Sequence, residues 1–437
     1  MILDKTTLQD LSFLQGEHAV FTLINRCTTQ AGTEALRKQV QAPPSTFEKL
    51  KEQQDAVRFW MDHPDSWTKR VSNGTMVMIE KFYESADGVA GRTNPLGLFI
   101  NSIMQKVFNR NAYSFVRFSV SHLIDFLKGC NELVQLEQYR PPAVILKELE
   151  AFKEVLALPL CQSLLQINDD APQALLMDMS YRSRREIKHI ILQMMERYAR
   201  LDALQAMAVA TLEHGWKMPE LLPSEALHYQ AQQLYHPLLK KPVAYDIEYT
   251  REKNFLFLTG ANMSGKSTLI RAMGVGALLA HIGMGVPAQA MQISFLEGII
   301  TNMQVEDNIF LGESYFFAEV QRMKLTAQKL SRNRYHLVLM DELFKGTNVH
   351  DAYECSRAVV EGLLRQNDNL MALSTHLNEL SENLKDEPNI WFRYCYTHIT
   401  GDGKYQFTYQ LKEGVSKDRI GYLVLKNEGV LDLLGKK

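Results

Sequence analysis

Residues 260–268 have the spacing of a loop that binds nucleotide phosphates. Two glycines allow a tight turn whose amides point at phosphate oxygens, and a lysine and a hydroxyl residue follow directly. The apolar run Phe255–Leu258 predicts a strand before the loop, and a helix is predicted from Thr268. Lys266 would neutralise phosphate charge, and the Ser267 hydroxyl would ligate Mg²⁺. The predicted nucleotide-binding residues of this loop are Gly260, Ala261, Asn262, Met263, Ser264, Gly265, Lys266, Ser267 and Thr268.

Acidic residues end a second apolar run, and a histidine follows a third. Asp341 and Glu342 come directly after the predicted buried strand His336–Met340. Asp341 would hold Mg²⁺ through water, and Glu342 would orient and polarise the water that attacks the γ-phosphate. His376 follows the apolar run 370–374 and is predicted to sense the γ-phosphate, although a histidine at a strand end is often only structural. ATP hydrolysis is therefore predicted, with Lys266, Glu342 and His376 as the catalytic residues and Ser267 and Asp341 as the metal ligands.

Composition excludes several broad classes of protein. Lys and Arg number 48 against 50 Asp and Glu, so the net charge of −2 gives no general attraction to polyanions. Five cysteines without a C-x-x-C pair indicate a reducing compartment without disulfides or structural zinc. The N-terminus lacks an apolar run, and the longest such stretch, Met273–Ala280, falls short of the roughly 18 residues that a membrane span requires. We therefore expect a cytoplasmic protein without a membrane helix.

The sequence pattern changes near residues 220–235. Amphipathic helical periodicity dominates the first half, whereas short β-rich runs alternate with helices in the second. The predicted fold is an all-helical N-terminal domain over residues 1–228, followed by an α/β ATPase domain over residues 229–437. A long helix is predicted over Tyr181–His214, and its basic residues either form a solvated face or contact DNA phosphates. These basic residues are Arg182, Arg184, Arg185, Lys188, Arg197 and Arg200.

Several motifs resemble those of the MutS family of DNA mismatch-repair ATPases, which share the ABC-type ATPase fold. Asn262 and Met263 inside the phosphate loop are typical of that family. Further resemblances occur in order at His236–Pro237 and in segments 278–288, 313–319, 341–351 and 374–380. The N-terminal half resembles the family's core or lever domain more loosely.

The resemblance implies a head-to-tail homodimer of ATPase domains that binds ATP and Mg²⁺ and moves its lever domains on DNA. Ser314 would complete the phosphate site of the partner subunit, with Glu319 as a second candidate for that role. Asp351 and Asn348 would lie at the dimer contact. The resemblance also implies an aromatic residue upstream of the loop that stacks on adenine, and residues 242–245 offer only Tyr245 for that role.

The sequence leaves the partner open. Family members that recognise mismatches begin with a separate domain, whereas this sequence starts at the lever, so we expect DNA binding in repair or recombination without direct mismatch recognition. A repair protein would be a further partner. The alternative is a nucleotide-driven switch that binds a protein and no DNA. An ATPase subunit of a transporter fits the fold but lacks the Leu-Ser-Gly-Gly signature.

Overall fold

The computed structural model describes residues 1–16, 18–85, 110–168, 171–303, 315–332, 334–400, 405–416 and 421–435. Its helices are, in chain order, α1 (Lys5–Asp10), α2 (Val20–Ile24), α3 (Gln30–Gln41), α4 (Phe47–Asp62), α5 (Asn73–Glu84), α6 (Arg110–Val134), α7 (Ala143–Leu156), α8 (Pro159–Leu165), α9 (Gln173–Arg182), α10 (Lys188–Glu213), α11 (Lys266–His281), α12 (Tyr315–Leu330), α13 (Val349–Leu363), α14 (Asn378–Leu384), α15 (Gly421–Asn427) and α16 (Val430–Leu433). Its strands are β1 (Glu220–Leu222), β2 (Tyr229–Leu234), β3 (Tyr245–Tyr249), β4 (Phe255–Gly260), β5 (Ala290–Ser294), β6 (Gly298–Asn302), β7 (His336–Asp341), β8 (Leu370–Ser374), β9 (Ile390–Ile399) and β10 (Tyr405–Glu413).

Contacts divide the chain into two compact units. We call them the mixed unit, which comprises Met1–Leu23, Val40–Lys51 and His214–Lys437, and the helical unit, which comprises Ile24–Gln39 and Glu52–Glu213. The domain boundary predicted at 228/229 stays a prediction, and the contacts place the first 23 residues with the C-terminal half. None of the helices in the parts of the chain described above is long and apolar enough to cross a membrane.

Every regular element that the structure describes within the helical unit is a helix. The stretch predicted as one helix from Tyr181 is helical backbone from Gln173 onward. A π-helical turn at Ser183–Ile187 joins α9 to α10. Gly215 follows the last turn with a φ of 65°, as the predicted helix end requires.

A buried carboxylate ties two helices of the helical unit together. Asp202 of α10 is fully buried and accepts hydrogen bonds from the amides of Thr28 and Thr29, both at 2.9 Å. The hydroxyls of the same two threonines donate to it at 3.0 and 2.7 Å. Because these groups precede α3, the carboxylate satisfies backbone donors near the start of that helix. Gly32 lies so close that a Cβ there would collide with the Asp202 side chain.

The basic residues at 182–200 have protein partners within the helical unit. Arg184 donates to the Ser85 carbonyl at 2.9 Å and Lys188 to the Tyr83 carbonyl at 2.8 Å, so both cations lie at the C-terminal end of α5. The remaining pairs are Arg182 with Glu186, Arg185 with the Tyr181 hydroxyl, and Arg197 and Arg200 with Glu148. This pairing favours a structural role for the stretch over contact with DNA phosphates.

The mixed unit contains two sheets. The smaller has the strand order β1-β5-β2-β3, and the larger has the order β10-β9-β4-β8-β7-β6. All neighbouring strands of the larger sheet are parallel except β10, which runs antiparallel to β9. Every residue of β4, β7 and β8 is buried, as expected for central parallel strands covered on both faces. Their carboxyl ends meet at one edge, where α/β sheets bind ligands.

Candidate functional site

The phosphate loop connects β4 to α11, in the strand, loop and helix context that the sequence predicts. Gly260 has a φ of 140° and Gly265 a φ of 102°, a region that favours glycine. A Cβ on Gly260 would lie 2.8 Å from Ser264 Oγ. A Cβ on Gly265 would lie 3.1 Å from the ring of Tyr409 and 3.2 Å from the hydroxyl of Tyr245. Both glycines are therefore required by conformation and by space.

Lys266 lies folded back over the loop that precedes it. Its Nζ donates to the carbonyls of Gly260 and Ala261 at 2.9 and 3.0 Å. Burial lowers the pKa of Lys266, and the nearby carboxylate of Glu342 opposes that shift. Within the rest of the loop, Ala261 and Ser264 are buried, Ser267 and Thr268 are partly buried, and Asn262 and Met263 are exposed.

The two acids at the end of β7 have different surroundings. Asp341 is the last residue of the strand and accepts a short hydrogen bond from the Ser374 hydroxyl at the end of β8. Glu342 has left the strand, with a φ of 55°, and its amide donates to the Ser374 carbonyl at 2.9 Å. The positive φ turns Glu342 out of the sheet, while Asp341 stays at its edge.

Glu342, His376 and Lys266 form one cluster. His376 Nε2 lies 2.9 Å from Glu342 Oε1 and 3.3 Å from Lys266 Nζ. Lys345 Nζ lies 3.1 Å from the other Glu342 oxygen. The hydrogen bond from His376, aided by Lys345 and opposed by burial, lowers the pKa of Glu342 to about 2. Glu342 is therefore a carboxylate at physiological pH, which a proton acceptor must be.

A cavity of about 400 Å³ opens beside the phosphate loop. The loop residues 262–268 and Glu342 form one side of the cavity. Leu239, Val243 and the two aromatic residues Tyr245 and Tyr409 add to its lining. The glycine-rich phosphate loop therefore lies beside a surface of aromatic and aliphatic side chains.

Tyr409 lines this cavity, and sequence reasoning gave it no role. It lies on β10, where the pairing with β9 shifts register between Phe407 and Gln410, and its φ is 57°. The alternation of residues 405–411 predicts the strand, but it does not reveal an irregularity that turns one tyrosine toward a loop far away in sequence. A tyrosine in a regular strand would face one side of the sheet only.

The resemblance places Ser314, Glu319 and Asp351 toward a partner subunit, and the structure describes the last two of them. Ser314 lies outside the described residues. Asp351 is exposed in the first turn of α13, where its amide donates to the side chain of Asn348 at 3.0 Å. Glu319 is buried and binds amides of its own chain, at Lys345 and Gly346. Both of these hydrogen bonds lie within one subunit, and the role of Glu319 toward a partner subunit stays a prediction.

The parallel strands, the glycine loop and the acids at the strand ends define a P-loop domain. A family model described as MutS domain V matches residues 256–432. The C-terminal region of this chain belongs to the MutS family, which confirms the resemblance seen in the motifs.

Curated relatives extend the similarity beyond that region. The chain is 32% identical over 249 residues to the DNA mismatch repair protein MutS of Thermotoga maritima, covering 56% of this chain and 30% of the relative. It is 30% identical over 308 residues to the DNA mismatch repair protein msh3 of Aspergillus fumigatus, covering 67% of this chain and 26% of the relative. The aligned part thus spans less than a third of the length of either relative.

Proposed function

We propose that the mixed unit binds ATP with Mg²⁺ and hydrolyses it. The observation that carries this proposal is the cluster of Lys266, Glu342 and His376 at the mouth of the phosphate loop. A purely structural loop has no need for a buried lysine within 3.3 Å of a histidine that is itself bonded to a carboxylate. Perturbed charged groups that converge beside a cavity are typical of catalytic sites.

The residues present suit a nucleotide bound with its metal. The Ser267 hydroxyl and the Asp341 carboxylate are hard oxygen donors of the kind that Mg²⁺ prefers. When bound, the ion would neutralise phosphate charge. The loop amides and the start of α11 would bind phosphate oxygens, and Lys266 would exchange its bonds to the loop carbonyls for bonds to phosphate.

Glu342 is proposed as the residue that orients the attacking water. Its charge is stabilised by His376 and Lys345, so it accepts a hydrogen bond from water without first losing a proton. His376 would hold the Glu342 carboxylate in place and contact the γ-phosphate. Positioning of this kind supplies most of the catalysis in phosphoryl transfer.

Tyr409 is proposed to bind the nucleotide base. Replacing Tyr409 with alanine is expected to raise the Kd for ATP by about 5-fold to 150-fold, because stacking on an aromatic ring contributes about 1–3 kcal/mol per base. Isothermal titration with ATP measures the effect. Tyr409→Phe keeps the ring and should bind nearly as well as the unaltered chain. Tyr422→Ala removes an exposed tyrosine elsewhere and serves as the matched control. Equal Kd values for Tyr409→Ala and the control would exclude stacking.

We further propose that the chain acts as a homodimer on DNA in repair or recombination, with Ser314 and Asp351 facing the partner subunit. The names of the curated relatives support DNA repair as the setting. The second candidate, a nucleotide-driven switch that binds a protein, is favoured by the net charge of −2 and by the partners that the basic residues at 182–200 have within the helical unit.

DNA binding separates these two functions. Fluorescence anisotropy with duplex, mismatched and four-way-junction DNA is recorded at increasing salt, in parallel with the rate of phosphate release. A DNA-binding protein would lose affinity steeply with salt, with a slope of about −0.9 per phosphate contact, and DNA would change its hydrolysis rate. Absence of binding to all three DNAs at low salt would support the protein-binding switch.

A further inference from the structure

Residues 1–10 pack against β6, at one edge of the six-stranded sheet. Ile2 forms a parallel bridge with Gly298 of β6, and its amide donates to the Glu297 carbonyl at 2.5 Å. The Thr7 hydroxyl donates to the carbonyl of Ile299 at 3.2 Å. The segment therefore packs as part of the mixed unit, although most of that unit lies more than 200 residues later in the chain.

Asp10, at the end of α1, joins three elements around the candidate site. Its side chain is buried and accepts hydrogen bonds from the Thr301 hydroxyl at 2.7 Å and the Met303 amide at 3.2 Å. It also forms a short ion pair with Arg322 of α12. The Asp10 carbonyl accepts a hydrogen bond at 3.1 Å from Arg271 of α11, the helix that begins at the phosphate loop.

Glu319 lies three residues before Arg322 on α12 and contacts the loop that follows Glu342. Its two carboxylate oxygens accept hydrogen bonds from the amides of Lys345 and Gly346, each at 3.0 Å. Gly346 also has no room for a side chain, because a Cβ there would lie 2.7 Å from the Phe316 amide nitrogen. The first turns of α12 therefore fix the backbone three and four residues after Glu342.

We propose that Asp10 is a positioning residue for Glu342 and acts through Arg322 and Glu319. This inference rests on the proposed ATP hydrolysis. Residues three apart on a helix share one face, so the ion pair that fixes Arg322 also fixes Glu319. Loss of the Asp10 charge would leave Arg322 in a largely buried site without its carboxylate, and α12 would shift to rehydrate it. The loop that carries Glu342 would follow that shift.

The first test compares two variants of the same segment. Asp10→Asn removes the charge opposite Arg322. Asp4→Asn removes the partner of Lys329, which lies near the C-terminal end of α12 at 2.5 Å from Asp4 and away from Glu319. We expect Asp10→Asn to lower kcat for ATP about 10-fold or more with little change in KM, because small displacements of a catalytic group cost that much or more. Asp4→Asn should leave kcat within about twofold.

Coupling provides a second readout that general destabilisation does not reproduce. Asp10→Asn, Glu319→Gln and the double variant form a double-mutant cycle for kcat. If both residues act through α12, the double variant should be hardly slower than the slower single variant. Additive effects, equal loss of kcat in Asp4→Asn, or a change in KM alone would overturn the proposal.

Hydrogen exchange tests the same inference without hydrolysis. In the full chain, peptides that contain the Lys345 and Gly346 amides should exchange faster in Asp10→Asn than in Asp4→Asn or the unaltered chain. Unchanged exchange would overturn the inference. If the unaltered chain hydrolyses no ATP, the proposed function is refuted. Hydrogen exchange then decides alone whether Asp10 positions the loop that follows Glu342. If Asp10→Asn does not fold, Arg322→Lys, which keeps the charge but loses the fork, replaces it in all these measurements.

Discussion

Replacing Glu342 with glutamine is expected to lower the rate of ATP hydrolysis by about 100-fold or more and to leave ATP binding intact. Glutamine has nearly the same shape but no negative charge, so it would accept a proton from water far less readily. The hydrogen bonds of Lys266 to the loop carbonyls do not involve this side chain. Steady-state phosphate release measures the first effect, and titration with ATP measures the second.

The control is Glu361→Gln, which removes an exposed carboxylate of α13 that lies 3.8 Å from Arg357. It should hydrolyse ATP at the rate of the unaltered chain. Because Glu342→Gln would retain ATP, light scattering of that variant also tests the proposed dimer. A chain that stays monomeric with ATP bound would contradict a site completed by a partner subunit. An equal loss of hydrolysis in both variants would contradict the role given to Glu342.

Replacing Gly32 with alanine is expected to lower the free energy of unfolding of the helical unit by about 3 kcal/mol, since overpacking costs about 1–3 kcal/mol and each lost hydrogen bond to a charged group about 1.5–3 kcal/mol. The new methyl group would occupy space now filled by the Asp202 carboxylate. That carboxylate would have to leave at least some of the four groups of Thr28 and Thr29 that it binds. Urea unfolding followed by circular dichroism measures the change.

The matched control is Gly74→Ala, a glycine of α5 where an added Cβ would lie no closer than 3.5 Å to its nearest neighbour, Ser72 Oγ. Alanine in a helix at an open position should be neutral, or stabilising by up to about 1 kcal/mol. If Gly32→Ala unfolds at the same urea concentration as Gly74→Ala, the Asp202 cluster contributes little to stability.

The chemistry of the phosphate loop was predictable because it is local. The loop, the strand before it and the helix after it lie within about 30 consecutive residues, and the conformations of Gly260 and Gly265 follow from the need for a tight turn. The acids at the end of β7 and the histidine after β8 were predictable for a related reason. Parallel neighbouring strands bring their carboxyl ends to one edge, so Glu342 and His376 had to meet.

Other contacts of the fold and of the candidate site join residues that are far apart in the chain. No local sequence pattern predicts them. Tyr409 reaches the phosphate loop through a register shift in β10. Asp10 pairs with Arg322, 312 positions later in the chain, and nothing about an aspartate at the end of a six-residue helix reveals that partner. The basic stretch at 182–200 illustrates the same point, because its charges are visible in the sequence and its partners are not.

The most direct test of the account is phosphate release from ATP by the full chain, with and without Mg²⁺, compared with Lys266→Ala. Turnover should require Mg²⁺ and fall to background in Lys266→Ala, because the loop would lose the cation that binds the phosphates. Phosphate release at the same rate in both proteins, or none from the unaltered chain under any of these conditions, would contradict it.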